Sequence, residues 1–204
     1  QALLLLLGSL GCGANAAIIT LGQVNPDPIS GVVVGRLSLG LDGSGSVTVN
    51  GGSSLSADVI GLGEQATGNG SLTVTGAGSR VSLLASGTVG NLDIGSRGVG
   101  RVSVLNGASF AHGAAGVDCS VDCRIFVGNA AGSNGSLLVS GAGSRLDTTG
   151  RVVVGQASVF TLATDGIDYG TPGASTSGAV RVDGGATATS SALRVGQSGG
   201  GSGR

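Results

Sequence analysis

The segment Asn69-Gly-Ser-Leu-Thr-Val-Thr-Gly-Ala-Gly-Ser-Arg80 decides the fold, because the chain repeats it 65 residues later. The second copy, Asn134-Gly-Ser-Leu-Leu-Val-Ser-Gly-Ala-Gly-Ser-Arg145, is identical at ten of the twelve positions. Self-similarity at this distance indicates a repeat architecture, in which each unit buries its apolar side chains against its neighbours. Apolar and polar residues alternate within both copies, and this is the period of a β-strand.

Weaker forms of the same unit recur along the chain. Each unit opens with an apolar-x-apolar-Gly sequence, which ends at Gly35, Gly63, Gly95, Gly128, Gly155 and Gly196. A second alternating run follows, led by Val47, Leu72, Val102, Leu137 and Val180. A third run is centred on Leu55, Val81, Phe110, Leu146 and Ala188. The second and third runs are always eight or nine residues apart, so the variation in length falls in the connections.

Three short strands per unit, joined by glycine-rich bends, predict an all-β fold. We expect a right-handed parallel β-helix (β-solenoid) with three short strands per coil and about five to six coils, a fragment open at its C-terminal end. Glycine makes up 43 of the 204 residues, as sharp corners require, and aromatic residues are only 2%, as a narrow aliphatic interior predicts. The formal net charge of −1 gives no electrostatic signature of DNA or RNA binding.

The first sixteen residues are typical of a secretory signal peptide. The apolar run Leu3-Leu4-Leu5-Leu6-Leu7 is followed by the small-x-small site Ala14-Asn15-Ala16, and we expect cleavage after Ala16. The run is shorter than the ~20 apolar residues of a membrane span. Lipidation of Cys12 and a buried helix are the alternatives. Residues 17–31 are expected to cap the first coil, and residues 32–204 to form a repeat domain that ends within a repeat.

The repeat resembles a known family of exported proteins. The motif appears as Gly68-Asn69-Gly70-Ser71-Leu72-Thr73-Val74 and recurs around Leu137. It is similar to the repeat associated with type V secretion (autotransporter passenger) and PEP-CTERM proteins, over roughly residues 32 to 204. The resemblance implies a bacterial protein at the cell surface, associated with the outer membrane or extracellular, and it implies location and architecture more than chemistry.

One long connection contains Cys119, Cys123 and two nearby carboxylates, Asp118 and Asp122. Two cysteines in an exported chain favour a Cys119–Cys123 disulfide. A metal site that adds His112 is the alternative, although the spacing matches no zinc pattern. His112 is interpreted as an exposed loop histidine, with a catalytic base as the other possibility.

A second inserted loop contains Asp165, Asp168 and Tyr169. The two carboxylates are weak candidates for a calcium site, and a solvated turn is the alternative. Because binding residues concentrate on loops of rigid scaffolds, His112, Asp118, Asp122 and Tyr169 are candidates for a binding surface. Tolerated insertions that bind no ligand would give the same pattern.

The sequence therefore predicts a non-enzymatic, exported structural or adhesive surface module. Ten Asp and one Glu are thinly scattered and Lys is absent, so no catalytic residue or cofactor is assigned. The expected partners are extracellular polysaccharide or other matrix components, with neither nucleic acid nor a membrane span in the mature chain. The alternative is a carbohydrate-active β-helix enzyme or a carbohydrate-binding module.

Overall fold

The computed structural model describes residues 16–83, 90–113, 123–155, 176–195 and 202–203. All regular secondary structure within these ranges is β-strand. Accordingly, no helix in this part of the chain has the length and hydropathy needed to cross a membrane. The alternating runs of the sequence account for the strands, and glycine-rich turns join them.

The described residues form eighteen strands, numbered here in chain order. They are β1 (Ala17–Gly22), β2 (Val24–Asn25), β3 (Val32–Leu39), β4 (Ser44–Asn50), β5 (Ser54–Leu62), β6 (Asn69–Thr75), β7 (Arg80–Leu83), β8 (Leu92–Ile94), β9 (Val99–Leu105), β10 (Ser109–His112), β11 (Arg124–Val127), β12 (Asn134–Ser140), β13 (Arg145–Thr148), β14 (Arg151–Val154), β15 (Ser177–Asp183), β16 (Thr187–Thr189), β17 (Ala192–Val195) and β18 (Ser202–Gly203).

The strands form two sheets. Sheet A has seven strands in the order β1-β4-β6-β9-β12-β15-β18, and it is mixed because β1 runs antiparallel to β4 while the other pairs are parallel. Sheet B has eleven strands. Its main path is β16-β13-β10-β7-β5-β8-β11-β14-β17, with β3 beside β5 and β2 beside β3. Apart from the antiparallel β2–β3 pair, sheet B is parallel and forms a half-barrel.

The prediction of a right-handed parallel β-helix with three short strands per coil is wrong. Strand β5 is continuous, and it pairs with β7 along its first part and with β8 along its last part. The connecting residues Ala57-Asp58-Val59 contain no Gly or Pro that would break the strand there. The first and third runs of the repeat therefore lie in one curved parallel sheet that packs on a mixed sheet, instead of on separate faces of a coil.

The repeat nevertheless sets the register of both sheets. In sheet A, Leu72 is the direct neighbour of Val47 on one side and of Val102 on the other. In sheet B, Phe110 lies between Val81 and Leu146. The columns of apolar residues that the sequence pattern aligned are thus in register, although the strands that carry them form two sheets.

One glycine of the repeat occupies a different place from that predicted. Leu39 is aligned with Leu62, and the amide of Gly63 donates to the Leu39 carbonyl at 3.0 Å. Gly40 is therefore the counterpart of Gly63, and both adopt left-handed backbone angles, with φ of 64° and 61°. Gly35 lies instead in the irregularity of β3, between Val33 and Arg36.

The hydrophobic core lies between the two sheets and is built from the inward side chains of the columns. Most of these side chains have less than 2% of their surface exposed, and Phe110 and Leu72 are examples. At the far end of the columns, Val182 and Leu193 are 42% and 60% exposed. The outward positions of sheet A are mostly small and polar, so the repeat that builds the core also produces a hydroxyl-rich outer face.

Candidate functional site

A groove crosses the outer face of sheet A near the β1 edge. Its floor is a row of four direct neighbours on adjacent strands: Leu21 on β1, Ser46 on β4, Ser71 on β6 and Arg101 on β9. These side chains face outward because the next residues along β4 and β6 point into the core. The groove has a volume of about 390 Å³, and its lining also includes Gly22, Ser44, Gly45 and Asn69.

The local sequence explains why this part of the sheet is concave. The Gly-Ser pairs of the repeat place a buried glycine next to a small outward hydroxyl in β4 and again in β6. Ser46 and Ser71 are each half-buried, so they form a low floor. Leu21, which is 67% exposed, and the long Arg101 side chain rise at opposite ends of the row.

Arg101 supplies the positive charge of the groove. Its Nη1 donates a hydrogen bond to the Asn69 side-chain oxygen at 3.2 Å. Among the residues that the structure describes, Arg101 forms no ion pair, whereas Arg36, Arg145 and Arg181 each have a carboxylate partner. The remaining guanidinium N–H groups of Arg101 are thus available to a ligand from solution.

The groove combines apolar surface with a few hydrogen-bonding groups. Most of its exposed lining belongs to apolar atoms, and the serine hydroxyls, the Asn69 amide and the Arg101 guanidinium donate or accept hydrogen bonds among them. The lining residues include no His, Cys, Asp or Glu. What these residues offer a ligand is hydrogen bonds and one positive charge.

Most of the site residues predicted from the sequence lie outside the described residues. They are Cys12, Asp118, Cys119, Asp122, Asp165, Asp168 and Tyr169. Cys123 is described and is disulfide-bonded, but its pairing with Cys119 stays a prediction. Within the described ranges, no three His, Cys, Asp or Glu side chains lie close enough to hold a metal ion.

His112, the single histidine of the chain, lies within the described residues, and the expectation that it is an exposed loop residue is wrong. It is the last residue of β10 and is 1% exposed. Its Nε2 lies 2.8 Å from the Gly90 carbonyl, which can only accept, so Nε2 carries the proton. Its Nδ1 therefore accepts from the Thr148 hydroxyl at 2.7 Å, and that hydroxyl accepts from the Gly150 amide at 3.0 Å.

The burial of His112 predicts a pH-dependent stability. Burial lowers the pKa of His112 below its ordinary 6.5, and the hydrogen bond to Gly90 only partly offsets this effect. The unfolded chain then binds more protons than the folded chain below about pH 6.5, so the free energy of unfolding falls as the pH drops towards the folded pKa. Each unit of pKa difference corresponds to about 1.4 kcal/mol. We expect urea unfolding to show this loss as the pH falls from about 7 to below the ordinary histidine pKa of 6.5.

The His112→Leu variant is the matched control, because Leu83 occupies the neighbouring position of the same column in β7. Its unfolding free energy should change less over this pH range than that of the unmodified chain. Equal pH dependence in the two proteins would contradict the assignment to His112.

A charged cluster lies on sheet B. Arg36 donates from Nε to Glu64 at 3.0 Å and lies 3.4 Å from Asp93 through Nη2. Burial raises the pKa of Asp93, and the Arg36 charge opposes that shift. Gly61 leaves the space that the guanidinium and the Glu64 carboxylate fill. Because Arg36 contacts carboxylates 28 and 57 residues away in sequence, the cluster links successive repeats.

The groove was not identified from the sequence, although the pattern carries a signal for it. The motif Asn69-Gly70-Ser71 recurs as Val99-Gly100-Arg101, which places one cation in a row of hydroxyls. Comparison with known proteins gives no matching family model, no matching curated protein and no matching solved structure. The interpretation of the groove therefore rests on its own residues.

Proposed function

We propose that this chain is an exported, non-enzymatic adhesive module that binds extracellular polysaccharide through the groove on sheet A. The observation that carries the proposal is the row from Leu21 to Arg101, in which two hydroxyl groups and a guanidinium stand beside apolar surface along a concave path across four strands. Such a row offers a linear polyhydroxylated chain hydrogen-bonding groups along its length.

The length of the row matches a short stretch of a polymer chain. Neighbouring strands are about 4.8 Å apart, so the three steps from Leu21 to Arg101 span about 14 Å. This length accommodates a few sugar residues of an extended glycan. Because the binding side chains stand on paired strands, their backbone is fixed before the ligand arrives, and little backbone entropy is lost on binding.

Two features of the sequence support export. The leucine-rich segment ahead of Ala16 is typical of a secretory signal peptide, and the repeat resembles that of exported surface proteins. The disulfide bond at Cys123 is of the kind that persists in oxidising compartments outside the cytosol. A polysaccharide ligand at the cell surface or in the matrix is consistent with that location.

The proposed function predicts that filling the floor of the groove weakens binding. In Ser71→Leu a bulky apolar side chain replaces a hydroxyl in the centre of the row, and we expect retention on immobilised polysaccharide to fall by about tenfold, as loss of a buried hydrogen bond and a steric block imply. Binding would be measured by affinity electrophoresis against a panel of neutral and acidic polysaccharides. Glycan length would be followed in the same samples and should not change.

The control for this experiment is Thr73→Leu. Thr73 faces outward two residues further along β6, outside the groove lining, and the chain already carries Leu138 at this register position in β12. This variant should bind like the unmodified chain. The proposal fails if the unmodified chain is retained by no polysaccharide, or if Thr73→Leu weakens binding as much as Ser71→Leu does.

A further inference from the structure

We infer that the groove selects acidic polysaccharides, namely glycans with uronic-acid residues, and that Arg101 binds their carboxylates. This inference rests on the proposed function and specifies its ligand. A guanidinium presents its N–H groups in a planar fork that matches both oxygens of a carboxylate. In the groove that fork belongs to an exposed side chain without an ion-pair partner among the described residues.

Asn69 orients the Arg101 guanidinium for binding a carboxylate. The hydrogen bond from Nη1 to the Asn69 oxygen uses one donor and limits the rotation of the guanidinium, while the other donors stay free. Asn69 is on β6 and Arg101 on β9, so the bond ties the guanidinium to the strand that carries Ser71. An arginine held in this way loses less entropy when it binds a carboxylate.

The position of Arg101 in the row makes it an anchor. The equivalent outward residues on the neighbouring strands are Ser71 on one side and Ser136 on the other, and Ser46 lies one strand further. A glycan laid across the strands would therefore place one carboxylate on the guanidinium and hydroxyls of adjacent sugars on the serines. One charged contact in a row of neutral contacts fixes the alignment of the polymer on the sheet.

The charge balance argues against nucleic acid as the occupant. Binding a phosphodiester backbone requires several cations along its path, whereas the groove lining contains one. The formal net charge of the chain is −1, so no general attraction to polyanions adds to this contact. Local carboxylate recognition accompanied by neutral hydrogen bonds is the mode of binding that these residues support.

The test compares one polymer in two charge states. Hyaluronan, in which uronic-acid residues alternate with neutral sugars, and its carboxyl-reduced form have the same backbone, but only the former carries carboxylates. We expect the 204-residue chain to bind hyaluronan about tenfold more tightly, as a charge-assisted hydrogen-bonded contact implies, and Arg101→Gln to abolish that preference. Arg80→Gln removes one exposed charge from sheet B, and it should bind like the unmodified chain.

Each outcome separates the inference from the proposed function. Equal binding of the two polymers, an unchanged preference in Arg101→Gln, or an equal loss in Arg80→Gln would overturn carboxylate recognition by Arg101 and leave polysaccharide binding in place. If neither polymer nor any neutral polysaccharide is bound by the unmodified chain, the proposed function itself fails.

Discussion

Replacing Gly135 with Ala is expected to lower the free energy of unfolding by about 3 kcal/mol or more, at the upper end of the cost of overpacking. Gly135 is buried on β12, between Gly100 of β9 and Gly178 of β15. A Cβ added here would overlap the amide nitrogen of Gly128 and the carbonyl oxygen of Ile94. These two atoms form a hydrogen bond of 2.8 Å between successive repeats. Because these neighbours are backbone atoms, they cannot move aside easily. Either the neighbouring strands must shift or the hydrogen bond between Gly128 and Ile94 must break.

Gly132→Ala is the matched control, three residues earlier. Gly132 has a φ of 78°, which strains an alanine, but nothing lies within 4 Å of the added Cβ. Its cost should be about 1 kcal/mol, from backbone conformation alone. Urea unfolding followed by circular dichroism measures both variants. Equal costs for the two variants would show that Gly135 is not required for the close approach of the backbone.

The contrast between these two glycines explains why the chain is so rich in glycine, for which the sequence alone supplies only part of the reason. Glycine at sharp corners is predictable, and Gly63, with a φ of 61°, is an example. The glycine before each outward serine has another role, which the sequence alone did not reveal. At Gly70 and Gly135 the backbone angle is ordinary, and the absence of a side chain allows the turn of one repeat to lie against the strand of the next.

The register of the strands could be predicted because the repeat fixes it locally. Alternation places Leu72 and Val74 on one face, and the near-constant distance to the third run aligns Val81 with Phe110. The number of sheets could not be predicted in the same way. It depends on whether a strand bends between its two halves, and β5 passes through Asp58 without a break.

The burial of His112 and the groove on sheet A both arise from contacts between residues that are distant in sequence. His112 and Thr148 are 36 residues apart and meet because β10 and β13 pair in parallel. A signal was present, since His112 lies two residues after the inward Phe110 and so faces the core. Likewise Ser71 and Arg101 are separated by a whole repeat, and only the pairing of β6 with β9 makes them neighbours.

The second large effect is expected from Phe110→Ala. Phe110 has none of its surface exposed, and it lies in the core column between Val81 and Leu146. Deleting its ring leaves a cavity between two repeats, because the neighbouring strands are held in place by backbone hydrogen bonds and collapse only partly. The expected loss is about 3–5 kcal/mol in the free energy of unfolding, measured by urea denaturation.

A graded series shows whether packing causes this loss. Phe110→Leu keeps an aliphatic side chain like those of its neighbours in the column, so it should cost less than about 1.5 kcal/mol. Leu193→Ala removes a side chain that is 60% exposed at the far end of the columns, and its effect should stay within about 0.5 kcal/mol. A Phe110→Ala variant no less stable than Phe110→Leu would mean that the ring does not fill the space between the repeats. The interior would then be wide enough to tolerate a void, and stability would reside mainly in the hydrogen-bonded strand ladders.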